Sequence, residues 1–393
     1  MVDVVTALLF VSAIFASMFM AWTIGAGSAG STPFAPAVGA NAISVMRAGL
    51  IVGVCIFLGA VLQGANVSEA VGRELVGSVT LSTTAAALAL VIAALLVTIG
   101  IFTGYPIATA FTVTGAVIGV GLAMGGDPNW PKYTEIAAMW TLTPLVGGGI
   151  SYWIARRLRD DSFREETSIS LLGAVVGVIL AHIEFALLGS GGEGATVAQV
   201  VSSVTPGPAI VSMAFTTGVF ALAGWTVVYR QMTRDTVRGG QQFALVMGAI
   251  VAFSAGGSQV GLAVGPLLPL LEGLVPLAVV LFGGGLGLLI GAWTGAPRMI
   301  KAVSQDYASL GPRRALAALI PAFAIAQVAI LYGIPISFNQ IIVSGVAGSG
   351  AAAKAGGGIS RRKIGFTFFA WGASFTGAVV VGYLSFLAVA ALG

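Results

Sequence analysis

Long apolar runs separated by short polar intervals recur along the whole chain. They fall at about 3–22, 44–64, 80–101, 104–124, 136–155, 168–188, 205–229, 241–255, 273–294, 315–332, 335–351 and 364–391. An α-helix needs about 20 apolar residues to cross roughly 30 Å of hydrocarbon. The pattern therefore predicts an all-α integral membrane protein of about 12 transmembrane helices. Two Gly-rich stretches, 25–40 and 256–270, follow the first and eighth runs. Each is too short to cross twice, and they carry Pro33 and Pro36, and Pro266 and Pro269. Both read as broken or re-entrant segments, which membrane proteins tolerate only where protein or water surrounds the freed backbone. The first run lacks the basic start of a secretory signal and reads as a retained span.

Composition leads to the same solvent. Hydrophobic residues make up 57% and charged residues 8%, where soluble domains carry roughly a quarter charged. The net charge of +4 does not indicate nucleic acid, because the basic residues sit in short loops and form no stripe. Cys55 has no partner for a disulfide, and the single histidine, His182, excludes a histidine zinc cage. Short cytoplasmic loops attract Arg and Lys, so their distribution tests the topology. With the N-terminus outside, sixteen basic residues fall inside, among them Arg156, Arg157, Arg159, Arg313, Arg314 and Lys354, and only Arg73 and Lys132 fall outside. The expectation is a multi-pass protein of a prokaryotic cytoplasmic membrane, with both termini outside and basic loops cytoplasmic.

The chain also resembles itself. Gly25-Ala-Gly-Ser-Ala-Gly30 returns as Gly256-Gly-Ser-Gln-Val-Gly261, and the Gly-x-Pro element at Gly104-Tyr-Pro106 returns at Gly333-Ile-Pro335. The offsets are 231 and 229. Five spans and a broken segment make up each unit, so residues 1–166 form a first repeat, 167–240 two connecting spans, and 241–393 a second repeat of opposite orientation. Inverted repeats are common in secondary transporters, whose sites lie at the repeat interface near the bilayer midplane.

The run from Ala21 through Gly25-Ala-Gly-Ser28 to Gly39, its second copy ending Ala263-Val-Gly-Pro-Leu267, the two Gly-x-Pro elements, and Trp140-Thr-Leu-Thr-Pro144 resemble the signatures of the inorganic phosphate transporter (PiT) family. That resemblance covers nearly the whole chain. It implies phosphate transport coupled to Na+ or H+, and a homodimer. The family carries Asp where this chain has Ser28 and Gln259, and Asn where it has Gly27 and Ser258. Later family Asn positions fall at about Ser31 and Leu262, and its His positions at Phe111 and Gln340.

The only Arg or Lys within a predicted span is Arg47, three residues from the edge of the 44–64 run, so an anion deep in the membrane would be held by dipoles: free N–H groups at helix ends and neutral side chains. Candidates for anion binding are Gly27, Ser28, Ser31, Thr32, Thr109, Thr112, Ser258, Gln259, Ser337, Asn339 and Gln340. Ser28 and Gln259 are also candidates for cation coupling, as are Glu184, near the outer end of the sixth span, and Glu272, beside Pro269. A sodium site on neutral oxygens is a poor substitute for one with carboxylates. There is no paired carboxylate, His-Glu metal motif, nucleophile elbow or Walker loop, which excludes the common enzyme classes, and no cofactor motif. The expected function is secondary transport of a small oxyanion, phosphate or sulfate, by alternating access in membrane lipid. An uncoupled facilitator or sulfate permease of the same fold, or a transport-inactive relative, are the alternatives.

Overall fold

A computed structural model describes residues 4–160, 164–189, 194–307, 310–353 and 360–392; Lys354 lies outside them. In chain order the helices are α1 (Val4–Gly27), α2 (Ala35–Gly39), α3 (Val45–Gln63), α4 (Ala65–Arg73), α5 (Thr83–Thr103), α6 (Thr109–Ala123), α7 (Trp130–Leu142), α8 (Gly148–Arg157) and α9 (Glu165–Ala181). After these come α10 (Val197–Val204), α11 (Ala209–Arg234), α12 (Thr236–Val264), α13 (Leu268–Leu271), α14 (Leu277–Asp306), α15 (Pro312–Leu331), α16 (Phe338–Ala351) and α17 (Arg361–Leu392). The only strands among the described residues are two antiparallel pairs, β1 (Val76–Gly77) with β2 (Asp127–Pro128) and β3 (Glu184–Phe185) with β4 (Ala195–Thr196). The protein is all-α.

Among the described residues eight helical segments are long and apolar enough to cross a membrane: 7–39, 45–63, 83–103, 209–234, 236–271, 277–306, 312–331 and 361–392. The other four predicted spans fall on shorter helices, α6, α7 with α8, α9 and α16. Proline explains much of the shortening. Pro106 and Pro335 precede α6 and α16 within extended entries, and Pro144, which cannot donate to the ladder, lies in a π-helical turn at Thr143–Gly147 between α7 and α8. Apolar side chains face outward along many helices, for example Phe15 on α1 and Ile210 and Phe215 on α11, as lipid in place of water requires. By contrast, 72% of the best apolar window in 236–271 and 67% of that in α15 is buried within the protein, so these helices form its centre.

Ends are set by local chemistry. The Ser82 hydroxyl accepts the Ala85 N–H at the start of α5, and Gly104, at φ 74°, closes its end in the left-handed conformation. Thr196 and Gln199 form a reciprocal capping box on α10. The small helices α4 and α10 are polar-faced and escaped a reading based on apolar runs.

Two of the expectations change. The stretch 256–270 is not broken throughout, because α12 runs unbroken to Val264 and only a 3-10 turn, Gly265–Leu267, separates it from α13. Its glycines are packing surfaces: a Cβ on Gly256 would overlap the Ile56 carbonyl, and one on Gly261 would crowd the Ser68 backbone. The ladder loses donors only at Pro266 and Pro269. The first stretch does break, with a turn at 28–31, a 3-10 turn at Thr32–Phe34 and then α2. Likewise α9 ends at Ala181, so Glu184 lies in β3 and not on a helix; Thr196 opposite it supplies the pairing that draws the chain out of the helix.

Packing places the first helix of each predicted half against the second helix of the other. Helix α1 packs on α14, where a Cβ on Gly25 would overlap the Leu288 carbonyl and one on Gly291 the Trp22 carbonyl. Helix α12 packs on α3 in the same manner, with Gly59 against the Phe253 carbonyl.

Candidate functional site

The break after α1, the last third of α12, and the starts of α6 and α16 meet at the centre of the protein. Neither α6 nor α16 has a side-chain cap. Each Gly-x-Pro element forces an extended approach and then releases the chain into a helix, leaving first-turn N–H groups at the centre. The side chains gathered there are wholly buried: Ser28, Ser31, Thr32, Thr109, Thr112, Ser258, Gln259, Ser337 and Asn339 show no exposure, and Gln340 shows 2%.

Gln259 sits at the hub. Its Oε1 accepts from Thr109 Oγ1 at 2.6 Å and from Ser28 Oγ at 3.3 Å, and its Nε2 donates to the Ile336 carbonyl at 2.5 Å. Ser28 and Gln259 are thus direct neighbours, although 231 residues separate them. Asn339, at the start of α16, donates both amide hydrogens, to the Gly27 carbonyl at 2.9 Å and the Ile107 carbonyl at 2.6 Å. Gln340 Nε2 donates to the Trp140 carbonyl at 2.6 Å.

Several candidate side chains are occupied locally. Ser31 and Thr32 donate to the Ser28 carbonyl, each at 3.1 Å, and Thr112 donates to the Thr109 carbonyl at 2.8 Å. These bonds hold the break and the helix start in shape. Other groups have capacity to spare. Among the described residues Ser258 Oγ, Ser337 Oγ, Asn339 Oδ1 and Gln340 Oε1 are buried with no hydrogen-bond partner. Buried polar atoms are normally satisfied, so four such atoms on α12 and at the start of α16 suit a ligand. The hydroxyls can donate to an oxyanion, and the amide oxygens can accept from water or coordinate a hard cation. Among the described residues no group of three His, Cys, Asp or Glu side chains could hold a metal.

The two carboxylates lie elsewhere. Glu272 is 65% exposed and pairs with Arg73 at 3.0 Å; that carboxylate and Glu69 raise the Arg73 pKa above its ordinary value. Glu184 shares a cavity of about 290 Å³ with His182 and Gln327, and its carbonyl accepts from Gln63 Nε2 at 2.8 Å.

The sequence signatures included Trp140 but missed Trp371, and neither indole's bond was foreseen. Trp140 Nε1 donates to the Pro335 carbonyl at 2.9 Å, and Trp371 Nε1 to the Pro106 carbonyl at 2.8 Å. Each tryptophan therefore holds the Gly-x-Pro loop of the other predicted half, with Phe111 stacked on Trp140 at 3.7 Å between centroids. Trp140 and Trp371 stand 231 positions apart, the offset of the Gly-rich copies, and that signal could have revealed the second one.

Comparison with known proteins agrees with this architecture. A solved structure titled "The sodium-dependent phosphate transporter" superposes with a TM-score of 0.79 and 20% identity, covering 98% of this chain and 100% of that one. A protein of Chlamydia muridarum named "Putative phosphate permease" is 26% identical over 383 residues, covering 88% of this chain and 90% of its own length. A protein of Pyrococcus horikoshii with the same description is 26% identical over 364 residues, covering 85% and 86%. The family profile described as "Phosphate transporter family" matches residues 24–382, and the chain belongs to that family, a family of transporters and not of enzymes.

Proposed function

We propose that the protein carries inorganic phosphate across a prokaryotic cytoplasmic membrane by alternating access, with the anion bound at the buried centre. One observation carries this reading: two uncapped helix starts, α6 and α16, converge on a fully buried cluster of neutral donors that holds unpaired polar atoms. Helix N-termini attract oxyanions through free N–H groups and a positive end of roughly half a charge. A desolvated site without Arg or Lys holds an anion loosely enough to release it.

Twelve crossings in two opposed halves, residues 1–166 and 241–393 around two connecting spans, give this centre its form. The exchanged packing of α1 on α14 and of α12 on α3 supports that reading, as do the exchanged tryptophan bonds. Orientation follows from charge. The end bearing the Arg313–Glu165 and Lys363–Asp306 pairs faces the cytoplasm, and both termini lie outside. We read the protein as a homodimer on family resemblance.

Coupling is the open branch of the mechanism, and Ser28 and Gln259 favour a specific second reading. Both are neutral and hydrogen-bonded to each other, so a facilitator that follows the phosphate gradient, without Na+ or H+, fits the centre as well as a symporter does. Neutral donors also admit sulfate. Uptake of radiolabelled phosphate and of sulfate into proteoliposomes, with sodium and proton gradients imposed separately, tests these readings. Symport requires flux that rises with a cation gradient, and a facilitator shows none of that dependence. If neither anion moves under any gradient, the protein is a transport-inactive relative and the proposal fails.

A further inference from the structure

A cavity of about 570 Å³ opens at the arginine-rich end, where the starts of α9, α12 and α15 meet the ends of α8 and α16. Helix α16 runs from the buried centre to this cavity over 14 residues, roughly 20 Å at 1.5 Å per residue, so the two places are separate. Arg159, Arg313, Arg314 and Glu165 line it. Three cations thus face one carboxylate.

Two of the arginines have protein partners. Arg313 grips Glu165 with two donors, Nε at 2.6 Å from Oε1 and Nη2 on Oε2. Arg159 Nη1 donates to the Ala352 carbonyl at the end of α16, where a cation suits the negative helix end. Arg314 differs: its Nη1 is buried and has no hydrogen-bond partner among the described residues.

The local sequence sharpens the anomaly. Helices α9 and α12 start in the ordinary manner, with Glu165 and Glu166 in the first turn of one and the Asp235 side chain capping the other. Helix α15 starts with Gly311 as its N-cap, no side-chain cap and no acidic residue, and it places Arg313 and Arg314 in its first turn. Cations at a positive helix end are electrostatically misplaced. An anion in the cavity removes the misplacement. It accepts from the idle Arg314 N–H, offsets the excess charge and meets the free N–H groups of the α15 start. The guanidinium fork and a helix N-terminus both match the geometry of a tetrahedral oxyanion. The remaining lining, including Ala155, Val237 and Pro312, is mostly apolar and accommodates attached carbon.

We propose that this cavity is a second site, binding a phosphate group through Arg314 and the first turn of α15, with Arg159 and Arg313 beside it. The group comes either from an anionic phospholipid headgroup at the membrane surface or from free inorganic phosphate.

The test uses the purified, delipidated full chain as wild type, Arg314→Gln and Arg314→Lys, and reads binding at equilibrium, so it does not depend on transport. In one arm native mass spectrometry counts bound phosphatidylglycerol, with phosphatidylcholine as the control whose choline cation the arginines repel. In the other, binding of labelled inorganic phosphate is measured beside Asn339→Ala, which marks the component belonging to the buried centre. Removing one charge-assisted contact is expected to weaken the relevant probe about ten-fold, with Arg314→Lys intermediate. A loss confined to phosphatidylglycerol assigns the lipid headgroup. Loss of a phosphate-binding component that Asn339→Ala retains assigns the free anion. If Arg314→Gln leaves both probes bound as in wild type, the site does not exist. Should that variant not purify as a folded protein, Ala353→Leu narrows the cavity without changing charge and must reproduce the loss.

Discussion

At residue scale the protein turns on which atoms are left neutral. The Gln259 amide donates to the Ile336 carbonyl and accepts from Thr109 and Ser28, so an uncharged group satisfies the hub. In Gln259→Asp an oxygen would face the Ile336 carbonyl where N–H groups now donate, and a buried carboxylate without a partner takes up a proton or a cation. Phosphate flux in this variant is expected to become dependent on a sodium or proton gradient, as measured in proteoliposomes; unchanged, gradient-independent flux would count against a coupling role for this position. Asn339→Ala strands the carbonyls of Gly27 and Ile107. Each buried unsatisfied group costs about 1–3 kcal/mol, so thermal unfolding should move to a lower temperature and flux should fall about ten-fold or more. That Ser28 and Gln259 hold matching positions was legible in the chain from the offset of the two Gly-rich copies, and the structure brings the two side chains into contact. The partners of Asn339 were not, because a carbonyl 312 residues away leaves no trace in local pattern.

At the scale of elements, close helix crossings replace the hydrophobic drive that lipid does not supply. Gly59 meets the Phe253 carbonyl so closely that a Cβ would overlap it, whereas a Cβ on Gly283 would meet nothing within 4 Å. Gly59→Ala should therefore destabilise by about 1–3 kcal/mol, or prevent accumulation of folded protein, while Gly283→Ala should purify and transport like wild type. A thermal-shift measurement on the two variants checks the contrast. Apolar runs located most of these helices within a few residues, since the bilayer fixes the length that must be apolar. They failed where another force decided. Glycines and prolines suggested a break across 256–270, but contacts with α3 and α4 hold its first part, to Val264, helical. The small helix α4 carries its own polar face, so no apolar run marked it.

For the molecule as a whole, orientation is the quantity that charge predicts and contacts do not. In a Cys55→Ala background, Leu274→Cys, 70% exposed beside the Arg73–Glu272 pair, should react with a membrane-impermeant maleimide in intact cells. Thr233→Cys, near Arg234, should react only after permeabilisation. The opposite pattern would invert the molecule and with it the assignment of the arginine-lined cavity to the cytoplasmic side. Sequence could outline that cavity's charge, but not that Arg159, Glu165, Arg313 and Arg314 from three separate stretches would share one space.

The crossed tryptophan bonds also bear on when the centre can exist. Pro106 waits for Trp371, a residue 265 positions later, and Gly27 waits for Asn339, 312 positions later. At about 5–20 residues per second, synthesis supplies those partners on the order of tens of seconds after the early helices have entered the bilayer. Until then the first half holds polar backbone with nothing to complete it. The buried polar centre is therefore among the last parts of the protein to form, and a chain cut short before residue 335 can insert its early helices yet never complete that centre.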